Sequence, residues 1–177
     1  MEDLDKQETV VLVNDKNEVL GYSEKLEAHE KGLLHRAISV IIFNDKGEML
    51  IQQRGLKKYH WAGIWSNTCC SHPRKEETFK QAAERRLYEE LGFKTPLTEA
   101  YHFIYKAYDK PSGLTEHEYD TVFTGTYNNT FQFNKDEIAA TEWISPALLK
   151  EDIKNNPDKY SFWFKIILDE LTNKKII

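Results

Sequence analysis

Residues 76–92 of the chain read EETFKQAAERRLYEELG, and this stretch decides the fold. An apolar residue recurs every four positions, which is typical of an amphipathic helix. The recurring residues are Phe79, Ala83, Leu87 and Leu91. Acidic residues stand at the start, where the helix dipole favours them, and Gly92 suits a C-terminal cap. The pattern therefore predicts a helix over residues 76–91.

Strand patterns lie on both sides of this helix in the sequence. Runs rich in Val, Ile and aromatic residues, bounded by turn residues, predict strands at 9–13, 18–22, 34–43, 48–53, 101–108, 118–127 and 137–144. Helices are predicted after Pro146 and over 162–172, with a weak helical pattern over 25–32. Residues 54–75 show no period, and such a long loop is usually functional. This order indicates a mixed-sheet α/β (α+β) domain.

The composition is that of an ordinary soluble protein. At roughly 150 residues per domain, a chain of 177 residues predicts one domain over residues 1–177. The net charge of −5 argues against a nucleic-acid partner, since such proteins usually carry a basic excess. The longest apolar-dominated run, residues 37–43, is far below the ~20 residues of a membrane span, so we expect no membrane partner.

The two cysteines, Cys69 and Cys70, are neighbours in the sequence. Adjacent cysteines make a poor disulfide, and unoxidised thiols fit a reducing compartment. Residues 1–6 are acidic and lack the basic start and apolar core of a signal peptide. We therefore expect a cytoplasmic protein.

Two carboxylates lie two residues apart where a strand is predicted to start. Glu116 and Glu118 would point to the same face, where they repel each other unless a cation or a proton lies between them. The alternative is a pair of solvated glutamates, since charged residues are mostly exposed. By the same alternation, His117 should face away from both.

Three of the six histidines are candidate metal ligands: His29, His35 and His72. Together with the two glutamates they would form a mixed nitrogen and oxygen site, which suits Mn²⁺, Fe²⁺ or Zn²⁺ better than Mg²⁺. Each histidine alone is more often an ordinary one, and spacing does not prove that the five residues meet. We assign no role to the others, which are His60, His102 and His117.

Residues 85–92, RRLYEELG, resemble the core of the Nudix motif, a helix that binds metal-complexed diphosphates. Glu77 falls where that motif has its first glutamate. Ser71 stands in place of the motif's glycine, and Arg86 in place of a glutamate that binds the catalytic metals in Nudix hydrolases. The resemblance implies a Nudix-like fold, a mixed β-sheet packed between helices, with diphosphate binding but no efficient hydrolysis. From spacing alone, Arg86 and Glu90 could be a surface ion pair.

Three further segments resemble the type 1 isopentenyl-diphosphate isomerases. They are residues 65–73 (WSNTCCSHP), 105–113 (YKAYDKPSG) and 116–118 (EHE). The resemblance covers nearly the whole chain, from about residue 21 to residue 163. One departure is the segment 61–63 (WAG), where the family commonly has a proline before the glycine. The local geometry of that loop is therefore open.

The resemblance implies an isomerase that interconverts isopentenyl and dimethylallyl diphosphate through a tertiary carbocation. It implies that Cys70 and Glu118 add and remove protons on opposite faces of the substrate, with Tyr105 beside Glu118. Cys69 is expected to pack as a small apolar residue. Trp163 is implied as the aromatic face for the carbocation, although periodicity fits a core position in the last helix equally well.

The resemblance also implies two cations and a basic pocket. One divalent transition metal (Mn²⁺, Zn²⁺ or Fe²⁺) would bind the His/Glu site, and Mg²⁺ would bridge the substrate diphosphate to Glu90. The basic residues implied for the diphosphate are Lys25, Arg54, Lys58 and Arg86. We expect a small-molecule diphosphate as the partner, and a monomer or weak homodimer.

Two alternative functions stay open at this point. A Nudix hydrolase of a diphosphate-containing metabolite is one, and Arg86 counts against it. A non-catalytic binder of metal or diphosphate is the other, and it would make the combination of Cys70, Tyr105 and Glu118 a coincidence.

Overall fold

The computed structural model describes residues 8–58 and 60–177, so the acidic segment at residues 1–6 lies outside the described residues. The described residues form nine strands, four α-helices and one 3₁₀ helix at Pro157–Lys159. The strands are β1 (Thr9–Val13), β2 (Val19–Glu24), β3 (His35–Phe43), β4 (Met49–Arg54), β5 (Trp65–Ser66), β6 (Cys69–Ser71), β7 (Thr98–Asp109), β8 (Leu114–Thr126) and β9 (Ile138–Ile144). The helices are α1 (Lys25–Lys31), α2 (Phe79–Leu91), α3 (Pro146–Asn155) and α4 (Phe162–Asn173).

The nine strands form one mixed sheet, and β3 has the most neighbours in it. β3 pairs antiparallel with β1, β4 and β6, and parallel with β8. The parallel register places His35 opposite Glu118, and the pairing with β6 places Ser39 opposite Cys70. β7 runs antiparallel to β8, and β9 antiparallel to β4. Segments far apart in the sequence therefore meet along β3.

The core lies on both faces of β3. Ile38 and Ile42 pack in a buried cluster that includes Leu87 of α2. Ile41, between them in the sequence, packs in a second cluster with Phe164 of α4. Burial on both faces explains why this strand is an almost unbroken apolar run in the sequence. The predicted mixed sheet packed between helices is confirmed.

Helix α2 begins at Phe79 rather than at Glu76. Its cap is Thr78, whose side chain accepts from the backbone N–H of Gln81, while the Gln81 side chain accepts from the backbone N–H of Thr78. These two hydrogen bonds satisfy two backbone N–H groups that have no partner within the helix at its start. Glu76 precedes the helix with φ of 66°, so the predicted acidic first turn is wrong. The end at Gly92, in the left-handed conformation with φ of 71°, is confirmed.

Two short strands occupy the segment predicted as an irregular loop. β5 pairs with β4, and β6 pairs with β3. Strands of two and three residues show no hydrophobic period, so the sequence gives no sign of them. β6 matters for the site, because its pairing with β3 holds Cys70 in a defined position.

The helices that flank the sheet differ in length. The weak pattern at 25–32 is a seven-residue helix, and α3 starts at Pro146 as predicted. α4 has a fully buried face that includes Phe164 and Ile167. Within residues 8–58 and 60–177, none of the helices combines the length and the apolar character needed to cross a membrane.

Candidate active site

Five buried side chains form a cluster that could hold a metal ion. They are His29, His35, His72, Glu116 and Glu118, the five residues that the sequence singles out. One nitrogen or oxygen atom from each lies within 4.8 Å of those of the others. α1, β3, the segment after β6, and β8 supply them. Because all five are buried, the glutamates are not the solvated pair of the alternative interpretation.

Strand β8 positions the two glutamates. Glu116 and Glu118 point into the cluster, while His117 points away, with its Nδ1 2.9 Å from the carbonyl oxygen of Gly32. This alternation is the one expected for a strand, and the predicted orientation of His117 is confirmed. The parallel pairing of β8 with β3 then sets His35 beside Glu118.

The donor chemistry of the cluster fits a divalent cation. His35 Nδ1 lies 2.8 Å from the carbonyl oxygen of Leu33, so Nδ1 carries the proton and Nε2 of the neutral ring has a lone pair. His35 Nε2 is 3.2 Å from His72 Nε2, which is 2.9 Å from Glu118 Oε1. Burial lowers the pKa of His35 to about 4 and that of His72 well below its ordinary value. Neutral imidazoles and carboxylates at this spacing are suitable ligands for such an ion.

Tyr105 lies beside Glu118, as the resemblance implies. The Tyr105 hydroxyl donates to Glu118 Oε2 over 2.7 Å, and both side chains are buried. Burial raises the pKa of the Glu118 carboxyl, and the nearby charges of Glu116 and Asp120 raise it further. Burial and the neighbouring carboxylate also raise the pKa of Tyr105, so the phenol keeps its proton. The pair can therefore hold a proton next to the cluster.

The two neighbouring cysteines face different environments. Cys69 is fully buried in the core cluster with Leu87, so its predicted packing as a small apolar residue is confirmed. Cys70 is half-buried and lines the cavity at the site. Burial raises the pKa of the Cys70 thiol to about 12, although the positive charge of Arg54 opposes the rise. Cys70 therefore holds its proton near neutral pH.

One cavity is lined by all the residues that the sequence proposes for catalysis and substrate binding. Among those lining it are Cys70, Tyr105, Glu118, Trp163, Lys25, Arg54, Lys58, Arg86 and Glu90. His72 and Glu116 of the cluster line it as well. The thiol and the His/Glu cluster thus face the same space, which is the arrangement that acid–base chemistry on one substrate requires.

The pair of Arg86 and Glu90 is buried, not a surface ion pair. Arg86 Nη2 donates to Glu90 Oε1 over 2.6 Å, and the other carboxylate oxygen accepts from Gln52 Nε2 at 3.0 Å. Arg86 Nη2 also lies 3.7 Å from Glu137 Oε2, and Lys58 pairs with the same carboxylate. Two cations therefore meet two acidic side chains, and all four residues line the cavity.

Trp163 lies in the first turn of α4 and is 4% exposed. Its indole Nε1 donates to Asn67 Oδ1 over 3.1 Å, which fixes the plane of the ring. The Arg54 guanidinium carbon lies 5.6 Å from the ring centroid. The core position in the last helix is confirmed, and the residue also lines the cavity.

The segment that lacks the family's proline forms a turn held by Arg54. Trp61 has φ of 51° and Gly63 has φ of 74°, both in the left-handed region. Arg54 Nε donates to the carbonyl oxygen of Trp61 over 3.0 Å, and Nη2 to that of His60 over 3.3 Å. The Trp61 N–H donates to Asp109 Oδ2 over 3.3 Å, so β7 also supports the turn.

Sequence reasoning misses three residues that contact the site. His60, to which the sequence assigns no role, is buried, with Nε2 2.7 Å from Glu116 Oε1. Asn67 orients Trp163, and Glu137 pairs with cations of the pocket. No periodic pattern marks any of them, because their positions depend on turns and on strand pairing.

The chain is similar in sequence to curated bacterial proteins along almost its whole length. An "Isopentenyl-diphosphate Delta-isomerase 2" of Photorhabdus laumondii is 43% identical over 169 residues, which cover 96% of this chain and 95% of that protein. An "Isopentenyl-diphosphate Delta-isomerase" of Halorhodospira halophila is 44% identical, covering 92% of this chain and 94% of that protein.

Solved structures and a domain-family model give the same fold. DR0079 from Deinococcus radiodurans superposes with a TM-score of 0.70 at 22% identity, covering 84% of this chain and 90% of that one. A MutT protein from Methanosarcina mazei gives a TM-score of 0.66 at 17% identity, covering 80% and 95%. The NUDIX domain model matches residues 33–164. The chain therefore belongs to the Nudix superfamily and, within it, to the isopentenyl-diphosphate isomerase family.

Proposed function

We propose that this chain interconverts isopentenyl diphosphate and dimethylallyl diphosphate. The observation that carries the proposal is the shared cavity, lined by the Cys70 thiol, the hydrogen-bonded pair of Tyr105 and Glu118, and the indole of Trp163. Relatives that carry the isomerase name at 43% and 44% identity support it.

The reaction moves a double bond by one position. A proton adds to the terminal alkene carbon, where the π electrons form the new C–H bond and leave a cation on the tertiary carbon. A proton then leaves the neighbouring CH₂ group, and its bonding electrons form the new double bond. Because the alkene is unactivated, the acid must be well placed and water must be excluded. Two proton-transfer groups are therefore needed, on opposite faces of the substrate.

Glu118 and Tyr105 are the proposed proton-transfer pair beside the His/Glu cluster. Tyr105 donates a hydrogen bond to Glu118 Oε2, so a proton can pass between the carboxylate, the phenol and the substrate. A carboxylate bound to a cation would seldom carry a proton, because the cation favours its ionised form, and it would therefore be a poor proton donor. We therefore assign the contact with the substrate to Tyr105, while Glu118 sets its acidity.

Cys70 is the proposed group on the other face. Burial raises the pKa of Cys70, which makes its thiol a weak acid and its thiolate a strong base. When the Tyr105–Glu118 pair gives a proton to one carbon, a Cys70 thiolate would accept the proton that leaves the other carbon. Since the reaction is reversible, the group that donates in one direction accepts in the other. Arg54, whose charge favours the thiolate, would stabilise the deprotonated form during the cycle.

Trp163 is the proposed partner of the carbocation. An aromatic face attracts a cation without offering a lone pair that could capture it, and this is worth about 2 kcal/mol or more when water is absent. The hydrogen bond from the indole to Asn67 holds the ring in the cavity wall.

The substrate diphosphate is assigned to the basic residues of the cavity, which are Lys25, Arg54, Lys58 and Arg86. Charge-assisted hydrogen bonds from guanidinium groups to phosphate oxygens are strong and directional. Arg86 stands where a hydrolase has a metal-binding glutamate, and its guanidinium is tied to Glu90. This supports binding of the diphosphate without its hydrolysis.

The His/Glu cluster would hold one transition metal, Mn²⁺, Zn²⁺ or Fe²⁺, through His29, His35, His72, Glu116 and Glu118. Such an ion would favour the ionised form of Glu118 and fix its orientation. A Mg²⁺ that arrives with the diphosphate is assigned to Glu90, in keeping with the preference of Mg²⁺ for carboxylate and phosphate oxygens.

We further propose a single Nudix-like isomerase domain over residues 1–177, acting in the cytoplasm as a monomer or weak homodimer. Both cysteines are free, which fits a reducing compartment. The expected partner is the small-molecule substrate, and neither nucleic acid nor membrane is proposed.

The proposal is tested by incubating the protein with Mn²⁺, Mg²⁺ and isopentenyl diphosphate in heavy water, and following the products by NMR. Dimethylallyl diphosphate that carries deuterium at the new methyl group is expected. Release of phosphate would indicate a hydrolase instead, and unchanged substrate would indicate a binding protein. A Cys70→Ala variant, whose turnover should be at least about 10²-fold lower, controls for a contaminating enzyme.

A further inference from the structure

His60 contacts the His/Glu cluster but is not one of its five residues. Its Nε2 lies 2.7 Å from Glu116 Oε1, and both side chains are buried. The His60 ring centroid is 5.2 Å from that of His29, so a fourth imidazole stands at the edge of the cluster. His60 lies between β4 and β5, and therefore comes from a different part of the chain than the cluster residues.

The two oxygens of Glu116 face different imidazoles. Oε1 is 2.7 Å from His60 Nε2, while Oε2 is 3.0 Å from His29 Nε2. A carboxylate on a strand can rotate about its terminal bond, and this torsion has broad wells. A hydrogen bond to one oxygen restricts that rotation and leaves the other oxygen directed toward His29.

We propose that His60 is a positioning residue that orients Glu116 for metal binding by donating a hydrogen bond from Nε2–H to Oε1. Carboxylates and imidazoles that bind metals are usually hydrogen-bonded by a second layer of groups, and loss of such a partner typically lowers metal affinity about 10–100-fold. His60 fills this place for Glu116. The inference rests on the cluster binding a metal, and does not depend on which reaction the chain catalyses.

His60 also connects the His/Glu cluster to the basic residues of the cavity, through a hydrogen bond with Arg54. Arg54 Nη2 donates to the His60 carbonyl oxygen over 3.3 Å, and Arg54 Nε donates to the next carbonyl in the chain. Arg54 itself lines the cavity. A ligand group that binds Arg54 would therefore also restrain the turn that carries His60. Through the contact between His60 and Glu116, the same group would restrain Glu116.

The test measures Mn²⁺ affinity without substrate. The protein is stripped with a chelator, and free Mn²⁺ is followed by electron paramagnetic resonance during a titration. In His60→Gln, the side-chain amide can donate from nearly the same position as Nε2, whereas His60→Ala removes the donor. His102→Ala is the matched control, because His102 is exposed on β7 and stacks on Tyr119 outside the cluster.

We expect the Mn²⁺ dissociation constant to rise about 10–100-fold in His60→Ala, and to stay within about threefold of the parent in the other two variants. At saturating Mn²⁺, His60→Ala should bind as many Mn²⁺ ions as the parent, because Glu116 and the rest of the cluster remain. If His60→Ala does not fold, His60→Asn takes its place in the comparison with His60→Gln. The side chain of asparagine is shorter than that of glutamine, so its amide should not reach Glu116.

An unchanged dissociation constant in His60→Ala would overturn the proposal. Equal weakening in His60→Ala and His60→Gln would also overturn it, since it would make His60 a direct ligand rather than a donor to Glu116. Normal Mn²⁺ binding by the parent protein, together with no isomerisation, would instead count against the proposed function alone.

Discussion

Replacing Tyr105 by phenylalanine removes one hydroxyl from the site and leaves the ring. The lost contact is the 2.7 Å hydrogen bond from the phenol to Glu118 Oε2, in a buried environment. The ring also lies 6.3 Å from that of Trp163 and 5.6 Å from that of Phe103, and phenylalanine preserves both contacts. A change in turnover in Tyr105→Phe would therefore report on the hydroxyl.

The size of the effect separates two roles for Tyr105. A hydrogen bond to a charged group contributes about 1.5–3 kcal/mol, which corresponds to about 10–150-fold in rate at 1.36 kcal/mol per tenfold. A group that transfers the proton itself contributes about 10²–10⁴-fold. Because we assign proton transfer to the phenol, we expect kcat to fall at least about 10²-fold. KM should change little, since the basic residues stay in place.

The assay is the NMR measurement of isomerisation at saturating isopentenyl diphosphate. Tyr101→Phe is the matched control, because the Tyr101 hydroxyl is on the same strand and donates to the backbone carbonyl of Ile167 over 3.1 Å. That variant should lose about 1 kcal/mol of stability and keep its turnover. A fall in kcat of less than about 10²-fold in Tyr105→Phe would refute proton transfer by the phenol.

Three further predictions follow from the packing and from the cluster. Cys70→Ala should lower kcat by at least about 10²-fold, whereas Cys69→Ala should mainly lower stability; equal losses of turnover would contradict the separate roles of the two thiols. Leu87→Ala should reduce the free energy of unfolding in urea by about 2–5 kcal/mol, and a loss below about 1 kcal/mol would show that α2 is not held by this side chain. Removing bound Mn²⁺ with a chelator should lower the melting temperature by roughly 5–11 °C, if the ion was present at about 100 times its dissociation constant; a melting temperature that does not change would count against the cluster as a metal site.

The elements with a strong hydrophobic pattern could be predicted from the sequence. The apolar run of β3 and the four-residue repeat of α2 both reflect burial along a whole element, so the pattern is visible without the fold. The start of α2 could not be placed in the same way. Acidic residues near Glu76 suggest a favourable helix start, but the capping pair of Thr78 and Gln81 determines where the helix begins.

Part of the site can be predicted from motifs in the sequence, whereas the rest depends on contacts that only the fold creates. Cys70 and Glu118 stand in segments that resemble a known family, so their roles could be proposed before their positions were known. His60 has no such motif, and its contact with Glu116 depends on a turn that Arg54 holds in place. Glu90 and Arg86 could be paired from their spacing, but their burial follows from the sheet and from Gln52 on β4. Contacts between turns and strands do not show in local spacing.

Helix α1 carries both Lys25 and His29, four residues apart and therefore on one side of the helix. Seven residues are too few for a helix to be stable alone in water, so α1 depends on what its side chains contact. An ion bound to His29 would restrain the whole segment and with it the amine of Lys25, which lines the substrate cavity. Binding of the ion and binding of the diphosphate would then be thermodynamically linked. Each would raise the affinity of the protein for the other by the same factor.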